Sequence, residues 1–169
     1  MTSKLYLEDF TDGQRFEAGP FHMEADAIMR FAAEFDPQPF HLEPAAAKTS
    51  FFGGLVASGW HTAAATMRLL VDGGLPIVGG VVGAGGEEIR WPRPVHPGDT
   101  LRIETEVLEV RPSRSNPALG LLKVRLRTLN QHNEEVQVAV ANILAPRRML
   151  QGSIHSRQAQ LATYAILAS

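Results

Sequence analysis

GWHTAAATMRLLVD, running from Gly59 to Asp72, reads as a helix with little to offer water. Trp60, Ala63, Ala64, Met67, Leu70 and Val71 mark one face, Ala65 and Leu69 make the rest apolar as well, and Arg68 is the only basic residue within it. A helix so apolar and so rich in alanine is expected to be buried on most sides, with other backbone lying close against it. Gly73–Gly74 stops it.

The covering material lies downstream. LRIETEVLEV (Leu101–Val110) alternates Leu101, Ile103, Thr105 and Val107 with Arg102, Glu104 and Glu106. LLKVRLRTL (Leu121–Leu129) sets Leu122, Val124 and Leu126 against Lys123, Arg125 and Arg127, and EVQVAVANIL follows a polar turn at Asn130 to Asn133. Period-two alternation with charge on one face predicts antiparallel strands half-covered by something apolar, and the helix from Gly59 is the apolar body available. WPRPVHPGD (Trp91–Asp99) is a proline-punctuated edge or bend before the long strands. The glycines of GGLPIVGGVVGAGGEE carry no G-x-G-x-x-G pattern and no phosphate-binding lysine, and mark a loop and a bulged strand instead.

Upstream, EADAIMRFAAEF (residues 24–35) places Ile28, Phe31, Ala32 and Phe35 at i, i+3, i+4 and i+7, the stripe of a surface helix with acids in its first turn. Asp36–Pro37 ends it. His41 to Ser50, alanine-rich with Pro44 near its start, is expected to form one or two helical turns, and the glycine-interrupted apolar loop FFGGLVASGW follows. The order is a short N-terminal strand or arm, a helix, a proline connector, a buried helix and about four antiparallel strands. That is an α+β domain whose antiparallel sheet wraps one long helix. An open sheet of this kind leaves an edge strand exposed, and dimerisation through that edge is a common solution. The domain takes up residues 1–148; the tail 149–169 breaks the pattern, reads at most as a short terminal helix, and is assigned no function.

Composition narrows the function. The 169 residues suffice for one domain with a real core. A net charge of −2 with both signs interspersed leaves no basic stripe of the kind nucleic-acid binders carry. Having no cysteine, the chain has no disulfides, thiolate nucleophiles or zinc–thiolate sites. No apolar run approaches the ~20 residues that span a bilayer, and MTSKLYLEDFTDG lacks the features of a secretion signal. A soluble cytoplasmic protein without a membrane or nucleic-acid partner is expected.

The chemistry is concentrated in FDPQPFH, Phe35 to His41. Pro37 and Pro39 fix their own φ and push the residues before them toward extended backbone, so Asp36 and His41 are held apart by a stiff connector. The block FDPQPFHLEPAAA…FFGGLVASGW resembles the hydratase signature of the MaoC-like, (R)-specific enoyl-CoA hydratases, which adopt the hotdog fold. Asp36, Pro39, His41 and Gly59 match that pattern in order and spacing, and the likeness runs from about Leu7 to Pro146, including the PVHPGD turn. The sequence departs from the pattern at Gln38 (asparagine in the family), Phe40 (aliphatic), Phe35 (small) and Ser58 (histidine in many members). The bulk of Phe40 and Trp60 near the pocket bears on which acyl group fits.

The resemblance implies hydration of a trans-2-enoyl thioester carried on CoA or on an acyl-carrier protein, with no cofactor and no metal. Asp36 and His41 are the acid–base candidates, since carboxylate and imidazole, with ordinary pKa values of roughly 3.9 and 6.5, can exchange protons with one held water. The Gly59 backbone N–H, at a helix N-terminus, is the oxyanion candidate. Ser58 is a candidate cap for that helix, and Phe40, Ser58 and Trp60 are candidate substrate contacts. His61, His22, His96, His132 and His155 stand in no metal-ligand spacing, and Ala57–Ser58–Gly59 is no nucleophile elbow. Arg68, Arg90 and Arg93 are conceivable partners for the phosphates of a CoA-type substrate, but each is read in preference as an ordinary surface or salt-bridged arginine. Two other functions fit the same fold: a thioesterase, though Gly59 to Val71 carries no acid, and a non-catalytic acyl-thioester binder.

Overall fold

The computed structural model describes residues 3–148. The tail 149–169, with its expected terminal helix and His155, lies outside the described residues. After a 3-10 turn at Leu7–Asp9 the chain forms β1 (Arg15–His22), α1 (Ala25–Phe35), α2 (Pro39–Leu42), α3 (Pro44–Lys48), α4 (Gly59–Leu69), β2 (Val82–Arg90), β3 (Thr100–Pro112), β4 (Leu119–Leu129) and β5 (Glu135–Pro146). The strands make one antiparallel sheet in the order β1-β3-β4-β5-β2. This is the expected hotdog architecture, with α4 on the concave face. No helix among the described residues is long and apolar enough to cross a membrane.

The alternation seen in the sequence sorts the two faces. Leu101, Ile103 and Val107 of β3 and Leu122, Val124 and Leu126 of β4 turn inward and are buried. Burying side chains of this size contributes roughly 1.5–3 kcal/mol each. The outer face carries paired charges: Glu104 with Arg102 on its own strand and with Arg127 on β4, both at 2.7 Å, and across strands Arg127 with Glu135 at 2.7 Å and Glu106 with Arg125 at 3.0 Å. The arginines of β4 are therefore matched by neighbouring acids. β2, an edge strand, is bulged at Gly83–Gly86 and again at Gly86–Glu88, as its glycines suggest.

Two expectations about the helices need correction. α4 is not buried on most sides, and of the expected face Trp60, Ala63, Ala64, Met67, Leu70 and Val71 only Leu70 is buried. His61, Thr62, Ala65, Thr66, Leu69 and Leu70 face inward, whereas Trp60, Met67 and Val71 are about half-exposed. The sheet makes the choice: small inner residues admit close approach, and the Thr66 hydroxyl shares a 2.6 Å hydrogen bond with that of Thr128 on β4. The apolar outer residues stay uncovered in a single chain. In α1, Ile28 and Ala32 are buried, but the stripe fades toward its end, where Phe35 is exposed and rests on Phe31.

α4 runs on into a π-turn at Leu70–Gly74, where Gly73 takes φ 155°, a backbone region that L side chains rarely adopt. There the chain turns off toward β2.

Candidate active site

α1 ends on Asp36, whose N–H closes the last turn onto the Ala32 carbonyl. Pro39 opens α2 as its first residue, a position that needs no N–H. The His41 N–H donates to the Gln38 carbonyl at 2.9 Å. This proline connector folds back so that His41 Nε2 lies 3.4 Å from Asp36 Oδ2. Behind it, His41 Nδ1 meets the Val56 carbonyl at 2.7 Å. A carbonyl only accepts, so Nδ1 carries the hydrogen and Nε2 is the nitrogen that faces Asp36.

Both oxygens of Asp36 hold donors. Gln38 Nε2 donates to Oδ1 at 2.7 Å, and the Ser58 hydroxyl donates to Oδ2 at 2.6 Å. Burial pushes the Asp36 carboxyl up, but the bonds from Ser58 and Gln38 and the charge of nearby His41 outweigh it and hold the carboxyl below its ordinary value. Ser58 also fulfils its expected capping role, accepting from the Trp60 N–H at 3.2 Å. One buried hydroxyl thus ties the carboxylate to the mouth of α4.

Gly59 is the first residue of that helix, and its N–H has no protein acceptor among the described residues. Its lack of a side chain answers to a need that the sequence did not reveal. A Cβ built here would lie 2.9 Å from Cδ2 and Cε2 of Trp91, so the indole occupies the space a side chain would take. Trp91 also sits edge-on to Trp60 at 5.4 Å and donates its indole N–H to Gln137 at 2.8 Å.

All six sequence-derived candidates, Asp36, Phe40, His41, Ser58, Gly59 and Trp60, line one cleft of about 420 Å³. Phe51, Phe52 and Trp91 line it too and were not placed there by sequence reasoning, and Arg93, read from the sequence in preference as a surface arginine, lines it as well. Phe40 stands edge-on to the His41 ring at 4.5 Å and against Phe52 at 5.2 Å, forming an aromatic wall. A second hollow of about 510 Å³ lies between β1 and the β4–β5 turn, where Arg102, Gln131 and Asn133 bond one another or their neighbours; it holds no acid–base pair. His61 lies outside the cleft, buried and stacked on Phe31 at 4.7 Å, and its burial pushes the imidazole below its ordinary value. His22, His96 and His132 are exposed. Among the described residues no group of three or more His, Asp or Glu side chains is placed to hold a metal. Arg68 and Arg90, read as alternative phosphate partners, pair with Asp72 and Glu88 at 2.7 Å each.

Comparison with known proteins agrees with this fold. The crystal structure of the MaoC-like dehydratase from Rhodospirillum rubrum superposes with a TM-score of 0.83 and 53% identity, covering 86% of this chain and 99% of that one. The (R)-hydratase PhaJ1 from Pseudomonas aeruginosa gives a TM-score of 0.70 at 27% identity, covering 89% and 94%. Mesaconyl-CoA hydratase from Cereibacter sphaeroides is 43% identical over 68 residues, 40% of this chain and 20% of that protein. The model of the MaoC like domain matches residues 9–128, well over half of the sequence, and the chain belongs to that family of dehydratase domains.

Proposed function

We propose that the chain is a hydro-lyase that adds water reversibly, with syn geometry, to a trans-2-enoyl thioester carried on CoA or an acyl-carrier protein. The observation that carries this reading is the convergence of Asp36, His41, Ser58 and the Gly59 N–H in one cleft at the mouth of α4. The names of the hydratase and dehydratase relatives support it. With Nδ1–H engaged by the Val56 carbonyl, His41 offers Nε2 to a water. Asp36, already accepting two hydrogen bonds and held ionised, orients that water and stabilises the imidazolium. The water oxygen bonds to C3 as His41 takes its proton, the C2=C3 π electrons move toward the thioester, and the enolate oxygen receives the Gly59 N–H. His41 then returns the proton to C2 on the same face. An aimed donor of the Gly59 type is worth roughly 3 kcal/mol of barrier.

The assembly belongs to the same reading. The uncovered row formed by Trp60 and Met67 on α4 and Val71 in the π-turn after it, with the exposed edge strand β2, suits a second copy of this chain, giving a homodimer or higher homo-oligomer.

Incubation with crotonyl-CoA, longer enoyl-CoAs and glutaconyl-CoA tests the activity. Loss of the conjugated-thioester absorbance without free thiol is the expected result; release of CoA makes the protein a thioesterase, and no turnover makes it a binder. Asp36→Asn and His41→Ala should each lower kcat by on the order of 10²–10⁴ while the protein stays folded. Near-normal turnover in either variant overturns the assignment of that residue.

A further inference from the structure

Arg93 supplies the one guanidinium or ammonium group among the described residues lining the cleft. It sits between Pro92 and Pro94, one residue from Trp91, whose indole is anchored on Gln137. Its own partners are distant. Nη1 reaches the Glu135 carbonyl at 3.4 Å and Nε stands 3.7 Å from Glu134, whose other carboxylate oxygen accepts from Asn130 at 2.9 Å. The side chain is half-exposed, and a guanidinium has five donors in a planar fork, so most of its capacity remains for a ligand. The rest of this wall is apolar, with Phe40, Phe52, Trp60, Trp91 and Val95.

We infer that Arg93 determines specificity by pairing with a carboxylate on the acyl portion of the substrate, so that the preferred substrates are thioesters of dicarboxylic acids. The inference rests on the thioester reading above and names its substrate class. The bound thioester and its double bond are neutral, and the enolate oxygen that forms later is given to the Gly59 N–H, so a cation in this cleft calls for another anionic group on the substrate. The phosphates of CoA are the other anionic source, but the pantetheine arm with its two amides separates them from the thioester. An acyl carboxylate lies only a few bonds from C3 and can share the cleft.

Glutaryl-CoA and butyryl-CoA, saturated thioesters that cannot be hydrated, differ by this carboxylate and report binding without turnover. Calorimetry should find glutaryl-CoA bound roughly tenfold to a hundredfold more tightly, as for a charge-assisted pair. Arg93→Gln should abolish that preference and leave butyryl-CoA within about threefold, and Arg93→Lys should restore part of it. No preference in the wild type, or an equal loss for both ligands in Arg93→Gln, overturns the inference; the second result assigns Arg93 to the CoA phosphates. Turnover of crotonyl-CoA and glutaconyl-CoA is scored separately. If neither is hydrated while the binding preference stands, the hydratase reading fails and the carboxylate site survives.

Discussion

Ser58→Ala removes a single oxygen atom with two separate consequences. The hydroxyl is 1% exposed; it accepts from the Trp60 N–H at 3.2 Å and donates to Asp36 Oδ2 at 2.6 Å. Loss of an N-cap acceptor costs about 1 kcal/mol. Loss of the donor to the carboxylate adds a contribution that solvent partly replaces, because Asp36 is not fully buried. A total of roughly 1–2 kcal/mol is expected at neutral pH, and for a chain of this size each kcal/mol lowers Tm by roughly 2–4 °C.

The pH dependence separates the two consequences. The folded-state carboxyl of Asp36 lies below its ordinary value, so its contribution to stability is present above the unfolded pKa and is lost as pH falls through the folded one. Ser58 is the first of the donors that lower it, so the variant's carboxyl moves up. Thermal melts across the acid range should therefore show the gap between wild type and variant narrowing as pH falls, down to the part due to the cap alone. If hydration needs ionised Asp36, the acid limb of the rate profile moves to higher pH in the variant, and kcat falls by on the order of tenfold to a hundredfold as the carboxylate loses its fixed position. A variant with wild-type Tm and an unmoved acid limb would refute the role given to this hydroxyl.

Gly59→Ala should destabilise by about 1–3 kcal/mol, since the new methyl overlaps the Trp91 indole, and the tryptophan emission should shift as that ring moves; an unchanged Tm and spectrum would show that Trp91 is not held where the structure places it. Thr66→Val leaves the buried Thr128 hydroxyl without its partner and should cost roughly 1–3 kcal/mol in denaturant unfolding, with Thr66→Val/Thr128→Val recovering part of the loss. A double variant worse than the sum of the two single ones would contradict a hydrogen bond between them.

The sheet was legible because alternation along Leu101–Val110 and Leu121–Leu129 is a direct imprint of the pleat, and the strands bury the residues that the pattern named. The place of α4 was legible as well, but its orientation was not. When a helix is apolar nearly all round, its sequence has little directional signal, and the inner face is chosen by what the sheet accepts, here Thr62, Ala65 and Thr66. Within the candidate site, Asp36, His41 and Gly59 were singled out by their spacing and family pattern, and they line one cleft. The Val56 carbonyl that fixes the His41 tautomer was not, because every residue has a carbonyl and the sequence marks none of them. Gln38 was noted only as a departure from the family; its amide in fact holds Asp36 Oδ1. Trp91 reaches Gly59 through tertiary packing from the far end of β2, and no local pattern announces that contact.

The outward face of α4 connects these failures to function. Thr62 and Thr66 point into the protein and Trp60, Met67 and Val71 point out, the reverse of what a solvated helix needs. The reversal is costly for the chain standing alone. Trp60 at the start of the helix and Trp91 at the end of the exposed strand β2 also form the rim of the cleft. The surface that would pair two copies is therefore continuous with the surface that frames the substrate. In the proposed assembly, covering α4 and extending the sheet at β2 would also fix both indoles, and with them the close contact on Gly59 at the proposed oxyanion position. Stability of the pair and alignment of the reacting thioester would then depend on the same few side chains.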